Sequence, residues 1–383
     1  MKRFLAIVSL TALALASCSA EELESPADSG ETSYIQDEAH LGIEPDNRPL
    51  PLNFTEQIGL WLPYMDFADY MYGKSEKEYR SAVADILSAA KEDSVNTVYF
   101  HVHPNGDAYY DSELFPRGIF YDGDYDPLRI MLDIAHSMGI SVHAWLNPLR
   151  LQTAEQMGNI SDDFIVKQWV NESSPKVKLI GERWYLNPAY PEVSELVSQT
   201  AGEILDRYNV DGIHIDDYFY PTTDDSFDIE AFSESGADDL SQWRRDNVSR
   251  YVKGLYDTVK NHDKRLRFGI SPQGNIRTDH DSQYADVALW SGNPGYADYI
   301  VPQIYYGFRN AACPFEPTLR QWEELVGDSG VSLVIGLAEY KKGSADKWAG
   351  AAGENEWIED PDVIKKQIEL VKASSADGYA LYR

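Results

Sequence analysis

The sequence contains few cysteines and few basic residues. Its 383 residues include 2 Cys, and 33 Lys and Arg stand against 63 Asp and Glu, which gives a formal net charge of -30. Two thiols cannot form a disulfide framework, so stability must come from a hydrophobic core. A surface this acidic repels phosphate backbones, so nucleic acid is not expected as a partner.

Motifs of nucleotide binding and of nucleophilic catalysis are also missing. The sequence has no P-loop, no G-x-S-x-G elbow and no G-x-G-x-x-G after its first predicted strand. Cys313 lies in a Pro-containing stretch with no His nearby in the sequence. These absences argue against P-loop or dinucleotide chemistry and against a Ser or Cys nucleophile.

The N-terminus, by contrast, carries an export signal. Two basic residues precede an apolar run from Phe4 to Ala16, and Leu-Ala-Ser-Cys then ends at Cys18. The run is too short for a transmembrane helix, and its end resembles the bacterial lipobox, in which the Cys is diacylated. We therefore predict a lipoprotein signal peptide over 1–18 with lipidation at Cys18; an ordinary signal cleaved near Ala20 is the alternative.

A tether is predicted between this signal and the folded domain. Residues 19–53 are rich in Ser, Glu, Asp and Pro and show little periodic hydrophobicity. Such a segment would hold the domain off a membrane to which the lipid anchor binds. We expect an exported lipoprotein on the periplasmic or cell-surface face of an outer membrane, acting as a monomer.

Eight short apolar runs alternate with amphipathic stretches after the tether. The runs occupy 58–64, 97–104, 141–148, 212–218, 267–274, 299–306, 333–340 and 378–383. Strict alternation of strand and helix predicts a parallel sheet covered on both faces, and eight units predict a closed (β/α)₈ TIM barrel over 54–383. A doubly wound open sheet is the competing α/β fold. The sequence ends at the eighth strand, so the usual closing helix is expected to be missing.

The end of the fourth predicted strand holds the best catalytic candidates. Barrel enzymes place catalytic groups at the carboxyl ends of strands, and VDGIHIDDYFYP puts Asp216 and Asp217 there, among apolar residues. Alternation along a strand turns His214 and Asp216 toward the same side. We predict that Asp216 is the leading catalytic carboxylate; for Asp217, capping of the following segment is an equal alternative.

Glycoside hydrolysis usually needs a second carboxyl group some distance from the first. Candidates at other strand ends are Asp66, Asp107, Glu113 and Glu339, of which Asp107 is the best placed. Alternatively, the N-acetyl group of a sugar attacks its own anomeric carbon while the adjacent Asp residues orient it and donate a proton. The sequence leaves both routes open.

Several ordered motifs resemble one known family. HVHPNGDAYY, WYLNP, VDGIHIDDYFYP, WRRDNV, FGISPQG and VPQIYY are similar to motifs of the bacterial glycosyl-hydrolase-like family ten, and the resemblance extends from about residue 54 onward. It implies a barrel hydrolase whose best-known activity is on denuded peptidoglycan glycans, without a cofactor. By position it implicates these pocket residues: Asp107, His143, Asn147, Arg150, Asn187, His214, Asp216, Asp217, Tyr218, Ser271 and Gln303.

Further substrate contacts are expected at the ends of the strands. The family pattern usually has Gln and Arg where this chain has His101 and His103, so contacts at that strand end are expected to differ. An H-x-H pair can also hold zinc, but in barrel metallohydrolases it lies on the first strand and here it lies on the second. Aromatic side chains such as Trp145 and Tyr305 can stack on sugar rings.

We therefore predict a glycoside hydrolase acting on a polysaccharide of the bacterial envelope or of the diet. Its predicted catalytic residues are Asp216, Asp217 and Asp107, with no metal and no cofactor. Two other classes stay open from the sequence: a glycan-binding lipoprotein that has lost catalysis, and a metal-dependent amidohydrolase.

Overall fold

The computed structural model describes residues 49–383, so the predicted signal peptide, Cys18 and most of the predicted tether lie outside the described residues. In chain order the strands are β1 (Gln57–Leu62), β2 (Thr97–His103), β3 (Ser141–Leu146), β4 (Arg150–Thr153), β5 (Val177–Ile180), β6 (Arg183–Leu186), β7 (Gly212–Ile215), β8 (Arg267–Ile270), β9 (Tyr299–Ile300), β10 (Ser332–Ala338) and β11 (Gly378–Tyr382).

The helices follow the strands in alternation. They are α1 (Phe67–Tyr70), α2 (Glu76–Glu92), α3 (Pro127–Ser137), α4 (Ala154–Asn159), α5 (Ile165–Asn171), α6 (Pro191–Arg207), α7 (Ile229–Ser235), α8 (Leu240–His262), α9 (Ile276–Ser282), α10 (Val287–Gly292), α11 (Phe315–Val326), α12 (Glu356–Glu359) and α13 (Val363–Lys372). Among these residues, no helix is long and apolar enough to cross a membrane.

Eight parallel strands close into a barrel. Their order around it is β1-β11-β10-β9-β8-β7-β3-β2, and each pairs in parallel with both neighbours. Each barrel strand lies within or overlaps one of the eight apolar runs, so the predicted (β/α)₈ barrel is confirmed. β2 and β3 are buried along their whole lengths, which explains why they read as continuous apolar runs.

Local sequence signals fix the outer helices. At the start of α2, the side chain of Ser75 accepts a hydrogen bond from the backbone N–H of Glu78, whose carboxylate accepts one from the backbone N–H of Ser75. Tyr79, Val83 and Leu87 then recur at four-residue intervals and are all buried against the barrel. Capping and periodicity together therefore position α2.

Two glycines leave space for tyrosines inside the barrel. A Cβ atom on Gly269 of β8 would lie 1.8 Å from the ring of Tyr299, and one on Gly59 of β1 would lie 2.7 Å from the ring of Tyr99. Any larger residue would collide with these rings. Glycine at both positions lets the two tyrosines fill the barrel interior below the carboxyl ends of the strands.

A small antiparallel sheet interrupts the alternation after β3. β4, β6 and β5 lie side by side in that order, and α4 and α5 complete the insertion before α6. Its first residue, Arg150, lies at the same end of the barrel as the carboxyl ends of β3 and β7. The insertion therefore brings a cation to the face where barrel enzymes carry their chemistry.

The amino ends of the barrel strands are closed by residues near the start of the described chain. The backbone N–H of Leu52 donates to Oδ1 of Asp211 at 2.6 Å, and Nδ2 of Asn53 donates to the carbonyl of Arg265. The other oxygen of Asp211 accepts from the backbone of Val142. These bonds attach the chain to the base of the barrel, opposite the candidate site.

Candidate active site

A cavity of about 360 Å³ opens at the carboxyl ends of the barrel strands. It brings together nine residues predicted from the sequence: His101, Trp145, Asn147, Arg150, Asp216, Asp217, Tyr218, Gln303 and Tyr305. Trp61, Tyr64, Met65, Tyr340 and Tyr382 complete its lining. We call this space the central cavity.

Asp216 is the most deeply buried carboxyl group of the central cavity. Only 4% of the residue is exposed, and Oδ1 has no hydrogen-bond partner within residues 49–383. Burial, and next the charge of neighbouring Asp217, hold the pKa of Asp216 well above its usual range. This shift favours the protonated carboxyl, which can carry a proton into the cavity.

Asp217, unlike Asp216, accepts hydrogen bonds from two amide side chains. Nε2 of Gln303 donates to its Oδ1 and Nε2 of Gln273 donates to its Oδ2, both at 3.3 Å. Burial raises the pKa of Asp217, while the two amide donors favour its ionised form and oppose that rise. The pKa of both carboxyls is therefore raised, but the amide donors oppose the rise for Asp217, so Asp216 is the more readily protonated of the two.

Unpartnered polar atoms concentrate around Asp216. In the described part of the chain, both ring nitrogens of His101, Nε1 of Trp145, Oδ1 of Asn147 and Nε of Arg150 are buried without a hydrogen bond of good geometry, although Trp145 lies close enough to Asp216, and Asn147 to His101, to affect their pKa values. Such atoms are costly unless something satisfies them. Their concentration in one cavity is the strongest structural sign of a binding site.

The His101 ring is fixed by stacking on an indole. It lies 3.6 Å from the centroid of the Trp145 ring at an interplanar angle of 11°. Burial, and then the charge of Arg150, keep the pKa of His101 well below its usual range, so the imidazole is neutral. Arg150 itself lies over the ring of Tyr218 at 4.7 Å. These contacts give the cavity a rigid wall.

Aromatic side chains form the opposite wall. Trp61 packs edge-on against Tyr305, and Tyr382 contacts both of them and Tyr340. The sequence predicted Tyr305 as a substrate contact, but Tyr340 and Tyr382 were missed. Their positions in the sequence could have identified them, because each lies at the carboxyl end of a predicted strand. The flat apolar faces of this wall suit the apolar faces of sugar rings.

His143 and His214 lie in the barrel interior, outside the lining of the central cavity. Nε1 of Trp61 donates to Nε2 of His214, whose Nδ1 lies 3.0 Å from Oη of Tyr299; Nδ1 of His143 lies 2.6 Å from the same oxygen. Burial lowers the pKa of His143 to about 3 and that of His214 well below normal. The indole N–H of Trp61 can only donate, and a neutral imidazole has one donor and one acceptor nitrogen. The directions of the two hydrogen bonds of His214 follow from this.

This arrangement supports Trp61 from below. His214 accepts from the indole and therefore donates through Nδ1 to the hydroxyl of Tyr299, which also forms a hydrogen bond with Nδ1 of His143. The predicted inward orientation of His214 agrees with these contacts. Its role in the structure is to position Trp61, which lines the central cavity.

Asp107 lies in a separate, smaller space that we call the Asp107 pocket. This pocket, of about 200 Å³, is lined by Asp107, Asn105, Gln152 and residues of α4 and of the segment 116–119. Burial raises the pKa of Asp107 to about 6. His103 is buried nearby against Phe115. The structure thus does not bring Asp107 or His103 into the lining of the central cavity.

Three other predicted contacts make local hydrogen bonds. Nδ2 of Asn187 donates to the carbonyl of Pro175, and its Oδ1 accepts from the backbone of Ala189. Oγ of Ser271 donates to the carbonyl of Val301, whereas Glu339 accepts from Nε of Arg383. These side chains organise loops and strand ends next to the central cavity without lining it.

The loop that carries the two carboxyls is anchored by a buried ion pair. Arg244 of α8 donates through Nη2 to Oδ1 of Asp228 at 2.6 Å and through Nε to Oδ2 at 2.9 Å. Tyr220 also donates to Asp228, and Arg244 donates to the hydroxyl of Tyr284. This cluster, the Arg244 cluster, holds the segment that follows β7.

The His pair on β2 does not form part of a metal-binding group. Across residues 49–383, no three His, Cys, Asp or Glu side chains are arranged to hold a metal ion. His101 stacks on Trp145 and His103 packs on Phe115, so each ring is placed by aromatic packing.

Comparison with known proteins identifies the family to which the chain belongs. The model of the family described as Glycosyl hydrolase-like 10 matches residues 56–352. The chain belongs to the Glycosyl hydrolase-like 10 family. The match spans every barrel strand except β11, so among the residues lining the central cavity Tyr382 alone lies outside it. The resemblance noted in the sequence motifs is thereby confirmed.

Curated relatives agree with membership of the Glycosyl hydrolase-like 10 family. Glycosyl hydrolase DigH of Escherichia coli strain K12 is 31% identical over 336 residues, which cover 79% of this chain and 75% of the relative. Glycosyl hydrolase YngK of Bacillus subtilis strain 168 is 28% identical over 335 residues, covering 79% and 63%. These relatives support a glycoside hydrolase.

A solved structure supports the fold assignment. The PgaB (BpsB) glycoside hydrolase domain from Bordetella bronchiseptica aligns with a TM-score of 0.59 at 14% identity, covering 88% of this chain and 94% of that one. At this identity the likeness concerns the barrel alone. Like that domain, this member of the Glycosyl hydrolase-like 10 family has a fold on which glycoside hydrolases are built.

Proposed function

We propose that this protein hydrolyses glycosidic bonds of a glycan that carries N-acetylated sugars, with denuded peptidoglycan glycan as the first candidate. The observation that carries the proposal is the pair Asp216 and Asp217, the carboxyl groups that line the central cavity. Unpartnered polar atoms around Asp216 and an aromatic wall opposite them provide groups that can bind a sugar.

The two carboxyls are assigned different roles from their surroundings. Asp216 has a pKa held well above normal and an oxygen without a partner, which suits a general acid. Asp217 accepts from two amides that favour its ionised form, which suits a group that orients the substrate and stabilises positive charge.

A substrate-assisted route fits this arrangement. The carbonyl oxygen of the sugar's acetamido group attacks the anomeric carbon, the bond to the leaving oxygen breaks, and Asp216 gives its proton to that oxygen. The Asp217 carboxylate accepts a hydrogen bond from the N–H of the resulting oxazolinium ion and so stabilises its positive charge. Water then attacks the anomeric carbon and returns a proton to Asp216, which restores the acetamido group and releases the reducing end.

This route predicts that turnover depends on the N-acetyl group. Chemical removal of acetyl groups from a cleaved glycan is expected to abolish hydrolysis, because the internal nucleophile is lost. A thiazoline analogue of the bicyclic intermediate is expected to inhibit. Reducing-end release from matched acetylated and deacetylated glycans measures the effect.

The control for that experiment is re-acetylation of the deacetylated glycan, which should restore cleavage. Cleavage of the deacetylated glycan at the rate of the acetylated one would contradict substrate assistance. It would then favour a route in which a carboxylate, and not the acetamido group, attacks the anomeric carbon or activates water, while the hydrolase assignment would stand.

We also propose that the protein is a lipoprotein anchored through Cys18. The apolar run and the Leu-Ala-Ser-Cys sequence before it support this assignment. Replacement Cys18→Ala is expected to move the protein from the membrane fraction to the soluble exported fraction, since lipid attachment needs the thiol. Fractionation with immunodetection tests this, and Cys313→Ala is the matched control. Unchanged membrane association of the Cys18 variant would contradict the anchor.

A further inference from the structure

The Asp107 pocket contains buried polar groups that the proposed reaction does not use. Asp107 and Gln152 are 5% and 4% exposed, and both line the pocket. Within the described residues, Oε1 of Gln152 is buried without a hydrogen-bond partner, while Nε2 donates to the carbonyl of Gly106. A buried acceptor with no partner, on a residue that lines a pocket, is a group that a ligand can satisfy.

The pocket is built from rigid parts. The backbone N–H of Asn105 donates to Oδ1 of Asp107 at 2.9 Å, and Oδ1 of Asn105 accepts from Nη1 of Arg183 on β6. Gln152 lies on β4 between Arg150 and Thr153, the two residues that pair with β6, and Thr153 pairs with Arg183. The polar groups of this pocket are thus held in place without a ligand.

The pocket lies beside the central cavity. Arg150, which lines the central cavity, and Gln152 are two residues apart on β4, so their Cα atoms lie about 7 Å apart. Both pockets are on the face of the barrel formed by the carboxyl ends of the strands. The two pockets are therefore close enough for units of one glycan chain to occupy both.

We propose that the Asp107 pocket is a second sugar subsite, which binds another unit of the glycan chain held in the central cavity. Sugar hydroxyls donate to Asp107, and a hydroxyl or acetamido N–H donates to Oε1 of Gln152. Arg117 lines the same pocket and Arg183 lies behind Asn105, so the surroundings favour a neutral sugar over a cation. This inference rests on the proposed glycan substrate.

The test compares two glutamines in the same chemical situation. Nε2 of Gln367 on α13 also donates to a backbone carbonyl, that of Tyr306. Oε1 of Gln367 is also buried without a partner among residues 49–383. Unlike Gln152, however, Gln367 lines neither pocket. Gln152→Met and Gln367→Met remove the same acceptor at similar volume. Any effect of the loss itself on folding should therefore be similar.

Binding is measured by calorimetry in an Asp216→Asn background, so that the ligand is not consumed. The probes are denuded peptidoglycan oligosaccharides from a disaccharide to an octasaccharide. We expect Gln152→Met to raise Kd roughly ten-fold for the long oligosaccharides, the loss of about one hydrogen bond, and to leave the disaccharide unaffected. Gln367→Met is expected to match its parent at every length.

A second variant guards against misfolding of the first. Ile119 is exposed at the pocket lining, so Ile119→Arg should fold and place a long side chain over the pocket, with the same length-dependent loss. Equal affinity of Gln152→Met and Gln367→Met at every length would overturn the subsite, as would an equal loss for short and long chains. Binding without cleavage by the wild type would refute only the hydrolase assignment, because the length dependence is measured without turnover.

Discussion

Replacement Asp216→Asn is expected to lower kcat on a cleavable glycan by roughly 10²–10⁴-fold. Asparagine keeps the size and shape of the side chain but cannot transfer a proton to the leaving oxygen. Release of new reducing ends from a purified glycan measures the change. In the wild type, kcat is also expected to fall as the pH rises through the elevated pKa of Asp216, and the residual activity of the variant should lack that decline.

The same substitution is expected to leave the fold intact or slightly more stable at neutral pH. The pKa of Asp216 is higher in the folded than in the unfolded protein, so its ionisation opposes folding as the pH rises above the unfolded value. Asparagine removes that penalty. The melting temperature of the variant at pH 7 should therefore equal or exceed that of the wild type.

Asp69→Asn is the matched control, because Asp69 is an exposed carboxylate that does not line the central cavity. It should keep normal turnover. Near-normal turnover in Asp216→Asn would assign the acid to another residue. A wild-type protein that binds glycans but never releases reducing ends would instead favour a binding lipoprotein on a barrel scaffold.

The barrel was predictable because its strands are buried on both faces. Continuous apolar runs such as β2 and β3 are separated by helices with a clear hydrophobic periodicity. Few folds are compatible with this alternation of strands and helices. The sheet of β4, β5 and β6 was not predicted. Each of its strands has four residues, and they pair with each other outside the barrel, so no strand-helix alternation marks them.

The candidate site was predictable in outline, because strand ends of a parallel barrel share one face. Periodicity gives the side to which a residue points but not its depth, so His143 and His214 were placed in the pocket although they lie below it. Asp107 follows β2 closely, yet the turn at Asn105 directs it into a separate pocket. The catalytic roles of Asp216 and Asp217 stay predictions.

Replacement Arg244→Met is expected to destabilise the protein by about 3–5 kcal/mol, the usual cost of breaking a buried ion pair from one side. Arg244 and Asp228 are both buried, and their paired hydrogen bonds satisfy both carboxylate oxygens. Methionine fills part of the space but leaves the Asp228 carboxylate without its cation. Denaturant unfolding followed by tryptophan fluorescence measures the change.

The matched control is Arg320→Met, because Arg320 forms ion pairs with Glu316 and Glu323 on one exposed helix face, and such pairs contribute about 1 kcal/mol or less. Turnover adds a second measure, since the Arg244 cluster anchors the segment that follows Asp216 and Asp217. If the cluster positions the carboxyls, Arg244→Met lowers kcat even where the protein is fully folded, whereas Arg320→Met does not. A folded Arg244→Met variant with normal kcat would limit the cluster to stability, because the loop would then hold its active geometry without the ion pair.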